Sequence, residues 1–103
     1  MSWTVSDPSP SEFPWPSLIL YSKPGCHLCT GLEDKLRQIP GLATQLIVRD
    51  IRDSEAWWER YQFEIPVICW QQGEQEQPLP RFSPRASCTQ IERQLRLALL
   101  AKE

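Results

Sequence analysis

The stretch "LILYSKPGCHLCTGLEDKL", residues 18–36, places Cys26 and Cys29 where an apolar run gives way to a helical pattern. Leu18, Ile19, Leu20 and Tyr21 are bounded by Pro16 on one side and by Lys23, Pro24 and Gly25 on the other, which predicts a short strand buried on both faces. Past Cys26, the residues Leu28, Leu32, Leu36 and Ile39 recur at helical spacing until Pro40 and Gly41, so a first helix starts at the cysteine pair and stops before the "PG". Cys29 falls on nearly the same face as Leu32. The junction has three readings: a redox pair, half of a zinc site, or two thiols packed side by side.

Downstream, "QLIVRDI" (Gln45–Ile51) is rich in branched residues and predicts a second strand, with Asp53 placed to cap a helix over about Ser54–Gln62. Trp57, Trp58 and Tyr61 would give that helix a bulky inner face. "IPVICW" (Ile65–Trp70) predicts a third strand, followed by a turn at Gly73 and a weak strand "QPLPRF" (Gln77–Phe82), whose prolines confine it to a sheet edge. A last helix begins near Ser83, Pro84 or Ser87, where Ser87 and Gln90 resemble a capping box, and Ile91, Leu95, Ala98 and Leu99 form its apolar stripe up to Lys102. The order is strand, helix, strand, helix, strand, strand, helix. A right-handed crossover makes the first two strands parallel, and the hairpin adds an antiparallel pair.

Residues 1–16 differ in kind. Pro8, Pro10, Pro14 and Pro16 among Ser, Asp and Glu predict a disordered or loosely docked extension, leaving residues 17–103 as the domain. Trp3, Phe13 and Trp15 pull the other way, since large aromatics are uncommon in solvated tails. The chain has 103 residues, enough for one modest core, and its formal net charge of −2 gives no electrostatic reason to expect nucleic acid or an anionic membrane as partner. No basic region followed by an apolar stretch opens the sequence, so the four cysteines are expected as reduced thiols in the cytoplasm.

A thiol gains nucleophilicity when its thiolate is stabilised, and the free N–H groups and positive dipole of a helix N-terminus do this. Cys26 sits there, turned outward by Pro24 and Gly25, with Cys29 one helical turn behind at a separation that suits a disulfide. Cys26 is therefore the expected attacking thiol, and Cys29 the thiol that resolves the mixed disulfide. His27 would favour the Cys26 thiolate or shuttle a proton; alternatively it is an exposed side chain of little effect. A zinc site would need Cys69, Cys88 or His27 to converge on the pair. Cys69, mid-strand, reads as a small buried hydrophobe, and Cys88 as a structural thiol that a helix N-terminus would otherwise activate.

"LYSKPGCHLC" together with the later "IPV" resembles the glutaredoxin branch of the thioredoxin superfamily, over residues 17 to about 102. The resemblance implies an α/β, thioredoxin-like βαβαββα domain with a four-stranded mixed sheet flanked by helices. It implies dithiol–disulfide oxidoreductase activity in cell redox homeostasis, with Lys23 contacting a glutathione carboxylate, Pro66 in the cis form beside the disulfide, and Ile65 offering its backbone to a bound thiol peptide. It also implies no bound cofactor, glutathione or a thioredoxin reductase as electron donor, and a protein disulfide or a glutathione mixed disulfide as partner of a monomeric chain. Glutaredoxins usually carry a proline and then an aromatic residue after the nucleophile, where this chain has His27 and Leu28. Their glycine pair and acidic residue are replaced by "PRFSPRASC", in which Arg81 or Arg85 would supply charge. The competing reading is a redox-inactive module that docks a protein through the Pro66 groove.

Overall fold

In the computed structural model, which describes residues 13–83 and 85–101, the chain builds the expected succession of elements. They are β1 (Leu18–Ser22), α1 (His27–Arg37), β2 (Leu46–Asp50), α2 (Glu55–Tyr61), β3 (Val67–Gln72), β4 (Gln75–Pro78) and α3 (Cys88–Ala101). The strands lie in the order β2-β1-β3-β4, with β2 parallel to β1 and the β3–β4 hairpin antiparallel. The sheet is therefore four-stranded and mixed.

Central β1 explains its own sequence. Leu18 and Leu20 point into a cluster with Leu36, Ile39, Ile91 and Leu95 from α1, α3 and the loop after α1, while Ile19 and Tyr21 join Ile51, Tyr61 and Cys69 on the opposite face. Successive side chains alternate between faces, so a strand covered on both sides reads as unbroken apolar sequence. No described helix is long and apolar enough to cross a membrane.

Local capping moves several expected boundaries. Ser54, not Asp53, caps α2: its extended backbone (φ −149°, ψ 130°) lets Oγ accept the Trp57 N–H at 3.3 Å. Asp50 instead caps a short helical turn over Ile51–Asp53, accepting the Arg52 N–H at 2.9 Å. Trp58 does not join the inner face. Trp57 and Tyr61, four residues apart, share that face against Tyr21, whereas Trp58 lies a third of a turn away and is 37% exposed. β4 begins at Gln75 and ends at Pro78, earlier than "QPLPRF", because the tight turn at Gly73 (φ +63°) pairs Gln72 with Gln75. In α3 the capping box forms as expected, Gln90 N–H to Ser87 Oγ at 3.1 Å and Ser87 N–H to Gln90 Oε1 at 2.8 Å. The alternative helix start at Pro84 and the end at Lys102 lie outside the described residues.

The domain also begins earlier than residue 17. Trp15 is 6% exposed in the larger cluster, its indole N–H donates to the Pro40 carbonyl at 3.1 Å, and Phe13 packs edge-on at 4.4 Å. The Arg96 guanidinium of α3 covers both rings, 4.5 Å from Phe13. Burying a large aromatic stabilises by on the order of 3 kcal/mol, enough to hold a proline-rich segment that forms no regular structure of its own. The expectation for residues 1–12, Trp3 included, lies outside the described residues.

Candidate active site

The loop after β1 aims a sulfur at a helix end. The Cys26 N–H donates to the Lys23 carbonyl at 3.2 Å, closing a tight turn in which Gly25 takes φ +85°. A Cβ at Gly25 would meet nothing within 4 Å, so the demand for glycine is conformational and not steric. Cys26 is then the N-cap of α1: its Sγ accepts the Cys29 N–H at 3.2 Å and its carbonyl accepts the Thr30 N–H at 3.0 Å. Cysteine thus fills the place that Ser, Thr or Asp takes in other helices. No acidic residue occupies the first turn of α1, and Lys35 and Arg37 sit in its last turn. The helix end is left electropositive toward the sulfur.

Cys26 and Cys29 are joined by a disulfide, with Cα atoms 5.2 Å apart. Cys26 is partly buried, whereas Cys29 is 2% exposed. Of the two sulfur-bearing residues, Cys26 is therefore the one nearer the surface.

Beside the disulfide runs a groove of about 550 Å³. His27 and Leu28, the two residues between the cysteines, form one wall and Ile65 and Pro66 another. The Ile65–Pro66 peptide bond is cis. Leu28, expected on the inward stripe of α1, is 55% exposed and stands on the groove wall instead. The segment after β4, expected as strand, keeps one bond to the sheet, the Leu79 N–H to the Ile68 carbonyl at 2.9 Å, and supplies Leu79 and Phe82 to the groove.

Lys23 does not line this groove. It borders a shallower depression with Cys29, Glu33, Asp50 and Asp53, and its ammonium sits 5.5 Å from the Trp58 ring. The structure therefore gathers His27, Ile65 and Pro66 on the groove and leaves Lys23 on a separate depression. Arg81 donates to both the backbone carbonyl of Glu64 and its carboxylate, the latter at 2.8 Å. Arg85 is exposed, its backbone N–H bound to Ser83 Oγ at 3.2 Å.

The other two cysteines have different surroundings. Cys69 is fully buried on the α2 side of the sheet, 3.9 Å from Tyr61 Oη, and burial pushes its thiol up. The Cys88 thiol donates to the Lys35 carbonyl at 3.4 Å; burial, and then the Glu92 charge, raise it. Among the described residues, no group of three or more His, Cys, Asp or Glu side chains is arranged to hold a metal ion.

One polar cluster had no counterpart in the expectations. The Tyr21 hydroxyl donates to Glu76, and Arg49 donates to both the Tyr21 oxygen and Glu76, each at 2.9 Å. Arg49 also stacks 4.9 Å from Trp57. Burial first and then the Glu76 hydrogen bond push Tyr21 well above the usual tyrosine range. A tyrosine and an arginine at paired positions of adjacent strands were the available signal; the glutamate came from the distant hairpin.

Comparison with known proteins agrees with this geometry. A glutaredoxin-like domain family (DUF836) matches residues 17–96. No curated protein matches the chain. Among solved structures, structural-genomics target XcR50 from X. campestris is 24% identical, superposes with a TM-score of 0.55 and covers 80% of this chain and 99% of its own. Thioredoxin 1 from the thermophilic eubacterium Thermosipho africanus is 15% identical with a TM-score of 0.55, covering 84% of this chain and 97% of its own. A malarial protein, 17% identical, gives a TM-score of 0.51 over 80% of this chain and 94% of its own. These likenesses show a thioredoxin-like fold.

Proposed function

The chain belongs to the glutaredoxin-like domain family, and on that footing we propose that it is a dithiol–disulfide oxidoreductase of cell redox homeostasis, working as a cytoplasmic monomer without a resident cofactor. The observation that carries the proposal is the position of Cys26 Sγ at the cap of α1, accepting the Cys29 N–H, with Cys29 buried one turn behind. In the reduced protein the same N–H and the helix dipole stabilise a Cys26 thiolate.

That thiolate attacks one sulfur of a substrate disulfide; the other sulfur departs as thiolate and takes up a proton. Cys29 then attacks Cys26, forming the intramolecular disulfide and releasing the first substrate sulfur. Both electrons pass from the dithiol to the substrate. His27, beside the nucleophile, donates or accepts the proton at the departing sulfur, and the backbone of Ile65 before cis Pro66 pairs with the substrate strand. A thiol such as glutathione, or a thioredoxin reductase, returns the disulfide to the dithiol.

The test is mixed-disulfide trapping. Cys29→Ser is expected to accumulate a covalent adduct at Cys26 on exposure to a protein disulfide, and Cys26→Ser to exchange no faster than thiols free in solution. If both variants retained the reductase rate of the unaltered protein, the reading would fall and the groove would be left as a redox-independent docking surface.

A further inference from the structure

We propose that the groove beside the disulfide selects protein substrates carrying a large apolar residue next to the reducible cysteine and a carboxylate just beyond it. The inference deepens the oxidoreductase reading and rests on it. Buried Ile68, Leu79 and Ile91 form the floor, and Leu28 and Phe82 stand on the walls. One exposed leucine on a surface needs no explanation. A leucine 55% exposed, facing a concave apolar floor in a cavity of about 550 Å³, has the form of a side-chain subsite.

Charge narrows the occupant. Of the cations that line the groove, Arg81 is held by Glu64 and Lys35 donates to the Ala86 carbonyl at 2.6 Å. Exposed Arg60 lies 5.5 Å over the Tyr61 ring and takes part in none of the ion pairs among the described residues, so its guanidinium can receive an incoming carboxylate.

A glutathionyl group, with two carboxylates and an ammonium on a short frame, fits poorly, because Arg60 can pair with one carboxylate while the second carboxylate and the ammonium lose hydration against an apolar floor without gaining a partner. Lys23 does not line this groove; it borders a second depression, with its ammonium 5.5 Å from the Trp58 ring. At the start of α3, the Ser87 and Gln90 N–H groups are taken up by each other's side chains. On a protein disulfide, the Cys26 thiolate attacks the sulfur whose neighbour fills the groove and expels the other substrate sulfur. Cys29 then frees the attacked sulfur, leaving an enzyme disulfide and two substrate thiols that carry the two protons of the dithiol.

The experiment gives the reduced protein three probes: a disulfide-linked peptide with Leu beside Cys and Asp beyond, the same peptide with Ser for Leu, and oxidised glutathione. Single-turnover rates are followed by mass-spectrometric thiol counting. The Leu peptide is expected to react about tenfold or more faster than either other probe, the scale on which an apolar subsite discriminates. Leu28→Asp, at an exposed position, is expected to bring the Leu-to-Ser ratio toward one, and replacing the peptide Asp by Lys to slow the unaltered protein several-fold. Equal rates for the Leu and Ser peptides, indifference to the Asp-to-Lys change, or a preference for oxidised glutathione would each overturn the groove assignment while leaving the oxidoreductase reading intact. Failure to reduce any of the three probes would overturn that reading, and this inference with it.

Discussion

Cys26 and Cys88 both stand at the start of a helix, and α1 and α3 pack against each other, yet the two thiols differ in what the helix does for them. Cys26 is the cap itself, its sulfur accepting an N–H of the first turn. In α3 the cap is Ser87, so Cys88 is the first helical residue and its thiol turns sideways to donate to the Lys35 carbonyl. Burial and Glu92 raise the Cys88 thiol, whereas the first turn of α1 carries no acidic residue. A shift of one residue relative to the cap separates a sulfur that faces backbone donors from one that does not. Nearness to a helix N-terminus does not by itself bring a sulfur onto the backbone donors; the cap position does.

The largest expected effect follows directly. In the reduced protein near neutral pH, Cys26 should be alkylated by iodoacetamide at least about a hundredfold faster than Cys88, because reaction rate follows the thiolate fraction. Peptide mapping of the time course measures both rates in one sample, and comparable rates would break the comparison. A smaller effect is expected when the thiol in α3 is moved to the cap: in Ser87→Cys combined with Cys88→Ser, the new thiol should react about tenfold faster than Cys88 does in the unaltered chain. Were it as slow as Cys88, the cap explanation would fail.

A stability effect of about 1 kcal/mol is expected for Ser87→Ala, the usual cost of losing an N-cap, read as a shift in the urea midpoint. The subtlest test concerns pH. Cys69, Cys88 and Tyr61 all have folded-state values raised, mainly by burial, so folding favours their protonated forms. Their contribution is present in full below the unfolded values and is lost as pH rises through these toward the folded ones, beginning near pH 8.5. Stability should accordingly decline from about pH 8.5 upward, and Cys69→Ala should make the onset of that decline shallower. A stability that rises over the same range would contradict the burial assigned to these groups.

Much of this was legible in local patterns. The apolar run of β1 and the Ser87–Gln90 box each describe residues that lie within one turn or one strand of each other, and both formed where expected; α1 starts at the cysteine pair but ends at Arg37, with Leu28 exposed and Ile39 past its end. The misplacements are equally specific. Asp53 was as good a cap by residue type as Ser54, and the choice was made by the short helical turn that Asp50 initiates. Trp58 matched its neighbours in size but not in helical phase. "QPLPRF" read as a weak edge strand; pairing across Gly73 drew the strand back to Gln75–Pro78, and Leu79, whose N–H still donates to the Ile68 carbonyl at 2.9 Å, and Phe82 line the groove.

By itself, the sequence determined the order of the elements, the cysteine at the head of α1 and the division between an outer and an inner thiol, because periodicity, turn chemistry and capping act over a few residues. Only the tertiary structure decided that Lys23 would stand outside the groove, that Trp15 would close the core against Pro40, and that Leu28, Pro66, Leu79 and Phe82 would meet in one groove. Those outcomes depend on segments distant along the chain packing together. A side chain's partner across such a distance is set by the whole fold and leaves no periodic mark in the residues beside it.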